Sequence, residues 1–322
     1  VHPPLDDVAL LREADTLLDS LGALDEAALR RIVAERDVDV ATAVLYQHVR
    51  RRDAAAISAV EGFDPRDARP LPRLSGELVL VPASGYREQP AYGGDGAVIR
   101  SIGEAFGLSS RLVVTRSIGG VAENAETVRS ALAGCAPRSV VLVTLSKGAA
   151  EVKVALSTPG PHRDAVKAWV SVGGLPHGSP VVDWALGGWR TWLFVNAVIL
   201  TGRVGRGFFY EMNHRAPTLE GPVDLPPATP TISILAFPLR WHLQGKLSGR
   251  HAAIAHLGPN DGFGLLWDGI HQGPVVPIWG GSHYLRVPLL SQRFYGVFAW
   301  LAAQDPAGLD AAPGSAETPA RG

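Results

Sequence analysis

Short β-branched apolar runs, spaced apart by helix-length segments, narrow the fold of this chain more than any other feature. The first four runs are ELVLVPA (Glu77 to Ala83), RLVVTRS (Arg111 to Ser117), SVVLVTL (Ser139 to Leu145) and VKAWVSVGGL (Val166 to Leu175). Each is nearly continuous in hydrophobicity instead of alternating, which is the pattern of a strand buried on both faces. Between them lie helix-length segments, Asp95 to Phe106, Val121 to Ala133 and Lys147 to Leu156. Strand, helix, strand at this rhythm predicts right-handed crossovers and an α/β fold, a mainly parallel central sheet flanked by helices. Strand character returns at TISILAFPL (Thr231 to Leu239), HAAIAHLG (His251 to Gly258) and VVPIW (Val275 to Trp279), and VPLLSQRFYGVFAWLAAQ closes the fold as an amphipathic helix.

Residues 1–70 read as an N-terminal helical extension. From Asp6 to about Val60 apolar residues recur at helical spacing, and Asp25 before EAALRRIVAE is a capped start, so two or three helices are expected. The Pro- and charge-rich EGFDPRDARPLPRLSG links them to the main domain, residues 71–305. Within that domain the pattern breaks over about 180–228, where aromatics and glycines mix with helical spacing. This insertion is either a helical cap over a site or an extra helical pair in the core. The tail 306–322 is low in bulky apolar residues and is expected to be disordered.

Thirty Lys and Arg stand against 31 Asp and Glu, a net charge of -1, so no global field favours nucleic acid or an anionic membrane. The basic VRRR at Val49 to Arg52 has no interleaved aromatics and reads as the solvated end of a helix. No G-x-G-x-x-G follows the first strand and no G-x-x-x-x-G-K-[ST] occurs, which argues against a nucleotide site. The only cysteine, Cys135, follows a helix end at Gly134 and is expected at the edge of the core. No metal or organic cofactor is implied. No apolar run reaches the length of a membrane span, and the first residues lack a basic segment followed by a long apolar one. A soluble cytoplasmic protein is expected.

The run VVLVTLSKGAAEVKVAL places Ser146 where a buried strand turns into a helix. A serine on such a turn has its hydroxyl pushed out at the C-terminal edge of the sheet, and the helix that follows offers backbone N–H groups to a developing oxyanion. The hydroxyl then needs a base, and the base an orienting carboxylate, in the chain order Ser, acid, His. His283, in the glycine-flanked loop after Val275 to Trp279, is the preferred base and His271 its rival. Asp261, in a tight Asn-Asp-Gly turn, is the preferred acid and Asp268 its rival. The N–H of Lys147, next after the serine, supplies one oxyanion donor. The second comes from the loop after the first strand, with Ser84 chosen and Gly85 and Tyr86 as alternatives.

Together these pieces resemble the α/β-hydrolase superfamily, and within it bacterial lipase-like esterases. LVPASGY is similar to the strand and oxyanion loop of that family, VAENAETVRSAL to the helix before the nucleophile strand, and VTLSKGAAEVKVAL to the elbow. VSVGGLPHGSPVVDWAL is similar to the lipase stretch in which a strand ends in Pro-His-x-Gly-Ser before an Asp. GPNDGF and GGSHYLRV resemble the acid and histidine loops. The resemblance covers roughly residues 75–303. The chain departs from the pattern at Thr144 and Ala83, where glycines are usual, and in the shortened LPHGS around His177, which reads as a structural histidine. The resemblance implies a serine hydrolase acting on a small-molecule carboxylic ester. The aromatics Trp184, Trp189, Trp192, Phe194 and Phe208 in the insertion suggest either an apolar acyl or alcohol group on that ester or the cap's own core. Acyl transfer or thioester hydrolysis by the same residues is the alternative within enzymes, and a non-catalytic binding relative the alternative outside them.

Overall fold

The computed structural model describes residues 7–202, 204–270, 273–284 and 289–305. The tail 306–322 and His271 lie outside these residues. The chain opens with α1 (Asp7–Ser20), α2 (Glu26–Glu35), α3 (Val38–Arg52) and α4 (Ala54–Glu61). The strands are β1 (Glu77–Val81), β2 (Ser109–Leu112), β3 (Val140–Leu145), β4 (Val166–Val172), β5 (Thr231–Phe237) and β6 (Val275–Trp279). Between them run α5 (Ala97–Ala105), α6 (Val121–Ala133), α7 (Gly148–Leu156), α8 (Pro161–Asp164), α9 (Pro180–Gly187), α10 (Trp189–Leu200), α11 (Arg206–Tyr210), α12 (Gly245–Ile254) and α13 (Leu266–Gly269). The last helix is α14 (Leu289–Ala303).

All six strands lie in one sheet in the order β2-β1-β3-β4-β5-β6, and every neighbouring pair is parallel. β1 and β3 to β6 run buried along almost their whole length, because successive side chains feed two cores, whereas β2, expected to be buried on both faces, lies at the sheet edge and has no buried residue. Leu78, Leu80, Val141, Val143, Val170, Ile232 and Val276 face Val60 of α4, Ile99 and Ile102 of α5, and Phe294 and Phe298 of α14. On the opposite face Val79, Val81, Leu142 and Trp169 meet Val128 and Leu132 of α6 and Val152 of α7. That second face continues at the far end of the sheet, where Leu235, Phe237 and Val275 are covered by Val40, Val44 and Leu45 of α3, backed by Leu10 and Leu29. The Phe237 ring sits 5.5 Å from that of Tyr46 in an edge arrangement. Phe237→Ala is therefore expected to cost about 3–5 kcal/mol of stability in a urea titration, since it empties a fully buried ring site.

Three expectations need correction. HAAIAHLG is not a strand: its first residues end α12, whose buried residues Leu247, His251 and Ile254 are spaced i, i+4, i+7, and a 3-10 turn follows at Ala255–Leu257. The N-terminal part forms four helices instead of two or three, because the chain breaks at Asp53. There the carboxylate accepts the Val275 N–H at 2.9 Å and pairs with Arg52, tying the break to the start of β6. The second strand stops at Leu112 instead of Ser117. Val113 N–H still reaches Leu80 O at 2.8 Å, but Arg116 N–H turns to Asn124 Oδ1 at 3.0 Å and leaves the ladder.

Asp25 caps α2 as its position suggests, accepting from Ala28 N–H at 2.7 Å. The insertion carries α9, α10 and α11 between β4 and β5. Trp184, Trp189, Trp192 and Phe194 are exposed on its surface, and Val195 is the residue of α10 that is buried. No helix among the described residues is long and apolar enough to cross a membrane.

Candidate active site

The strand order reverses at β1: the chain passes from β1 outward to β2, then back across to β3 and on to β6. Loops leaving β1 and β3 therefore part in opposite directions, the arrangement in which ligand sites of parallel sheets fall at the carboxyl ends of the strands. Ser146 sits there, one residue past β3, with φ of 50°. A serine in the left-handed region is strained, and the neighbours fix it: Ser146 N–H donates to Val172 O at 3.0 Å and Leu175 N–H to Ser146 O at 3.1 Å.

Two residues on, Gly148 opens α7 against the end of β1. A Cβ there would lie 2.9 Å from Val81 O and 3.1 Å from Pro82 O. Gly148→Val is expected to destabilise the fold by about 1–3 kcal/mol through overpacking, read as a lower melting temperature, and to slow modification of Ser146. On the other side Thr144 is fully buried, and its hydroxyl accepts the Trp169 Nε1–H at 3.0 Å. The side chain that stands where a glycine is usual thus satisfies a buried indole.

Ser146 Oγ lies 2.8 Å from His283 Nε2, and His283 Nδ1 lies 2.6 Å from Asp261 Oδ2. The other carboxylate oxygen, Asp261 Oδ1, accepts from Phe263 N–H at 3.0 Å and Gly264 N–H at 2.9 Å. Burial pushes the Asp261 carboxyl up, but the His283 charge and these hydrogen bonds outweigh it and hold the group below its ordinary value. The Phe263 ring packs 4.5 Å from the His283 ring and gives the imidazole an apolar wall. Tyr284, next in the chain, stacks on Tyr92 at 4.6 Å.

Asp268 takes no part in this row. It pairs with His214 Nε2 at 2.7 Å and Arg215 at 3.3 Å. His177 Nδ1 lies 3.1 Å from Leu219 O and 3.3 Å from Lys153 Nζ, in keeping with a structural histidine. Burial lowers Lys153 to about 8, and its ammonium donates to Leu219 O and Gly221 O at 2.5 Å each.

In the loop after β1, Ala83 N–H is taken by Gly94 O at 2.9 Å and Gly85 N–H by Ser117 O at 3.1 Å. Tyr86 turns its side chain inward and donates its hydroxyl to Thr115 O at 2.9 Å. Among the described residues the N–H groups of Ser84 and Lys147 donate to no protein acceptor. Sequence reasoning missed the buried polar groups behind Lys147. Its ammonium pairs with Glu151, four residues on along the same helix face, and Glu151 Oε1 also accepts from Asn124 Nδ2 at 2.7 Å. That i, i+4 spacing was the available signal. No group of three or more His, Cys, Asp or Glu among the described residues could hold a metal ion.

The parallel sheet in this order, with helices on both faces and a serine on the turn after β3, is the α/β-hydrolase fold. No family model matches the chain, and no curated protein is significantly similar to it. Among solved structures it is similar to the metagenomic carboxyl esterase MGS0156, with 21% identity over 79% of this chain and 90% of that one and a TM-score of 0.53. It is also similar to the Bacillus licheniformis lipase BlEst2 in its mature form, with 17% identity over 75% and 94% of the two chains and a TM-score of 0.51. At these identities the likeness is one of fold.

Proposed function

We propose that the chain is a serine hydrolase that cleaves carboxylic esters. The observation that carries this reading is the continuous row from Ser146 Oγ through both nitrogens of His283 to Asp261, at 2.8 and 2.6 Å. In it, Ser146 Oγ attacks the ester carbonyl while His283 Nε2 takes the hydroxyl proton. The carbonyl oxygen becomes an oxyanion held by the N–H groups of Lys147 and Ser84. Collapse breaks the bond to the alcohol, which leaves with the proton from His283 and exposes an acyl-enzyme. Water then attacks, giving its proton to His283, and the acid departs as the proton returns to Ser146 Oγ. Asp261 keeps the imidazole in the tautomer with Nδ1–H and stabilises its charged form without accepting the proton.

The Phe263 wall beside His283 favours an ester with an apolar group. The likeness in fold to a carboxyl esterase and a lipase supports the same reading. The test is reaction with a fluorophosphonate, read by intact mass and peptide mapping, alongside p-nitrophenyl esters of rising chain length. A single adduct on Ser146 with turnover of the esters is the expected result. A folded protein that takes no adduct and cleaves none of the esters overturns the reading.

A further inference from the structure

The two candidate oxyanion donors come from separate pieces of chain. Lys147 lies on the turn into α7 and Ser84 in the loop after β1, and no direct hydrogen bond joins Ser84 to Lys147. A buried polar chain connects them behind the site. On the Ser84 side, Gly85 N–H donates to Ser117 O at 3.1 Å, Arg87 N–H to Ser117 Oγ at 3.3 Å and Tyr86 Oη to Thr115 O at 2.9 Å. The segment 115–117 is gripped in turn by Asn124 of α6, whose Oδ1 accepts Arg116 N–H at 3.0 Å and whose Nδ2 donates to Arg116 O at 3.0 Å. The same Nδ2 donates to Glu151 Oε1 at 2.7 Å, and that oxygen accepts from Lys147 Nζ. Asn124, Lys147 and Glu151 are 1%, 3% and 2% exposed.

An amide is the one side-chain group that serves this position. It offers an acceptor and two donor hydrogens in one plane, and all three meet a partner here. A carboxylate would lose both donors and face Glu151; an apolar residue would leave the half-buried Arg116 N–H and O and the buried Glu151 carboxylate without these partners. Resting on the hydrolase reading, we propose that Asn124 is a positioning residue: it fixes the distance between the Ser84 and Lys147 N–H groups and so sets the geometry of the oxyanion site. Asn124 touches no reacting atom; its effect passes through the backbone of 115–117 on one side and through the Glu151 carboxylate to the Lys147 side chain on the other. Such a role falls on the transition state, where the oxyanion exists, and leaves ground-state binding alone.

The test compares the native chain with Asn124→Leu and with the double variant Lys147→Met/Glu151→Leu. The double variant removes the buried ion pair without leaving either charge alone, so it remains measurable if the first fails to fold. With p-nitrophenyl butyrate, kcat is expected to fall about 10- to 100-fold in each folded variant, as for a small misplacement of catalytic groups. KM is expected to stay within about two-fold of the native value, the pattern of an interaction made only in the transition state. The inhibition constant of an alkyl trifluoromethyl ketone, whose adduct carries an oxyanion, should weaken in step with kcat. Folded variants that keep both kcat and the inhibition constant overturn the inference and leave the hydrolase reading standing. A native chain that neither cleaves the ester nor binds the ketone overturns both.

Discussion

Ser146→Ala is expected to lower the rate of ester hydrolysis by about 10⁴-fold or more and to remove the fluorophosphonate adduct completely. Removing Oγ leaves no atom 2.8 Å from His283 Nε2 to form the acyl-enzyme, so any residual rate must come from water acting directly in the polarised site. The backbone should tolerate the change in shape, because Ser146 already holds φ of 50° through hydrogen bonds of its own N–H and carbonyl and not of its side chain. Burst kinetics on a p-nitrophenyl ester separate the outcomes. A variant that still gives a burst equal to the enzyme concentration would place the nucleophile elsewhere.

Asp261→Asn is expected to cost about 10⁴-fold in kcat at neutral pH with little change in fold. Oδ1 of the new amide can still accept the Phe263 and Gly264 N–H groups, but an NH₂ then faces His283 Nδ1. The imidazole answers by placing its proton on Nε2, where it points at Ser146 Oγ and can no longer take the hydroxyl proton. The same substitution changes stability against pH in a defined direction. Because Asp261 titrates below its ordinary value in the folded state, its ionisation stabilises the fold above the usual carboxylate range, and this contribution is lost as pH falls through the lowered pKa. A melting series from pH 7 to pH 3 should show that acid-dependent loss in the native chain and a shallower one in the variant. Equal slopes would remove Asp261 as a source of it.

Much of the fold was legible because its strands carry an unusually strong signal. SVVLVTL and TISILAFPL are apolar and β-branched through their length, and the structure puts them in the interior of the sheet, covered on both faces. HAAIAHLG misled because its alanines suit either conformation, and the spacing that decides it includes Leu247, which lies outside the run. The candidate residues were legible through chain order and loop position, which place Ser146, Asp261 and His283 at the same edge of a parallel sheet. The preference for Asp261 over Asp268 rested on its place in a tight turn after a segment read as a strand, and the partners that separate them, His283 and His214, are set by tertiary packing. Asn124 had no legible role. Its three hydrogen bonds go to two residues, Arg116 in a loop and Glu151 in a helix 27 residues away, and nothing in VAENAETV announces them.

The attachment of the first helices to the last strand has a consequence for how the chain reaches its native state. Asp53 meets Val275 across 222 residues of sequence, and α3 covers an apolar face of β5 and β6 that does not yet exist when α3 leaves the ribosome. Val40, Val44 and Leu45 must therefore wait, exposed, while most of the chain is synthesised. Closure of such distant partners carries a large loop-entropy cost before any contact rewards it, so refolding should be slow. The apolar face of these helices is covered only once β5 and β6 have been made.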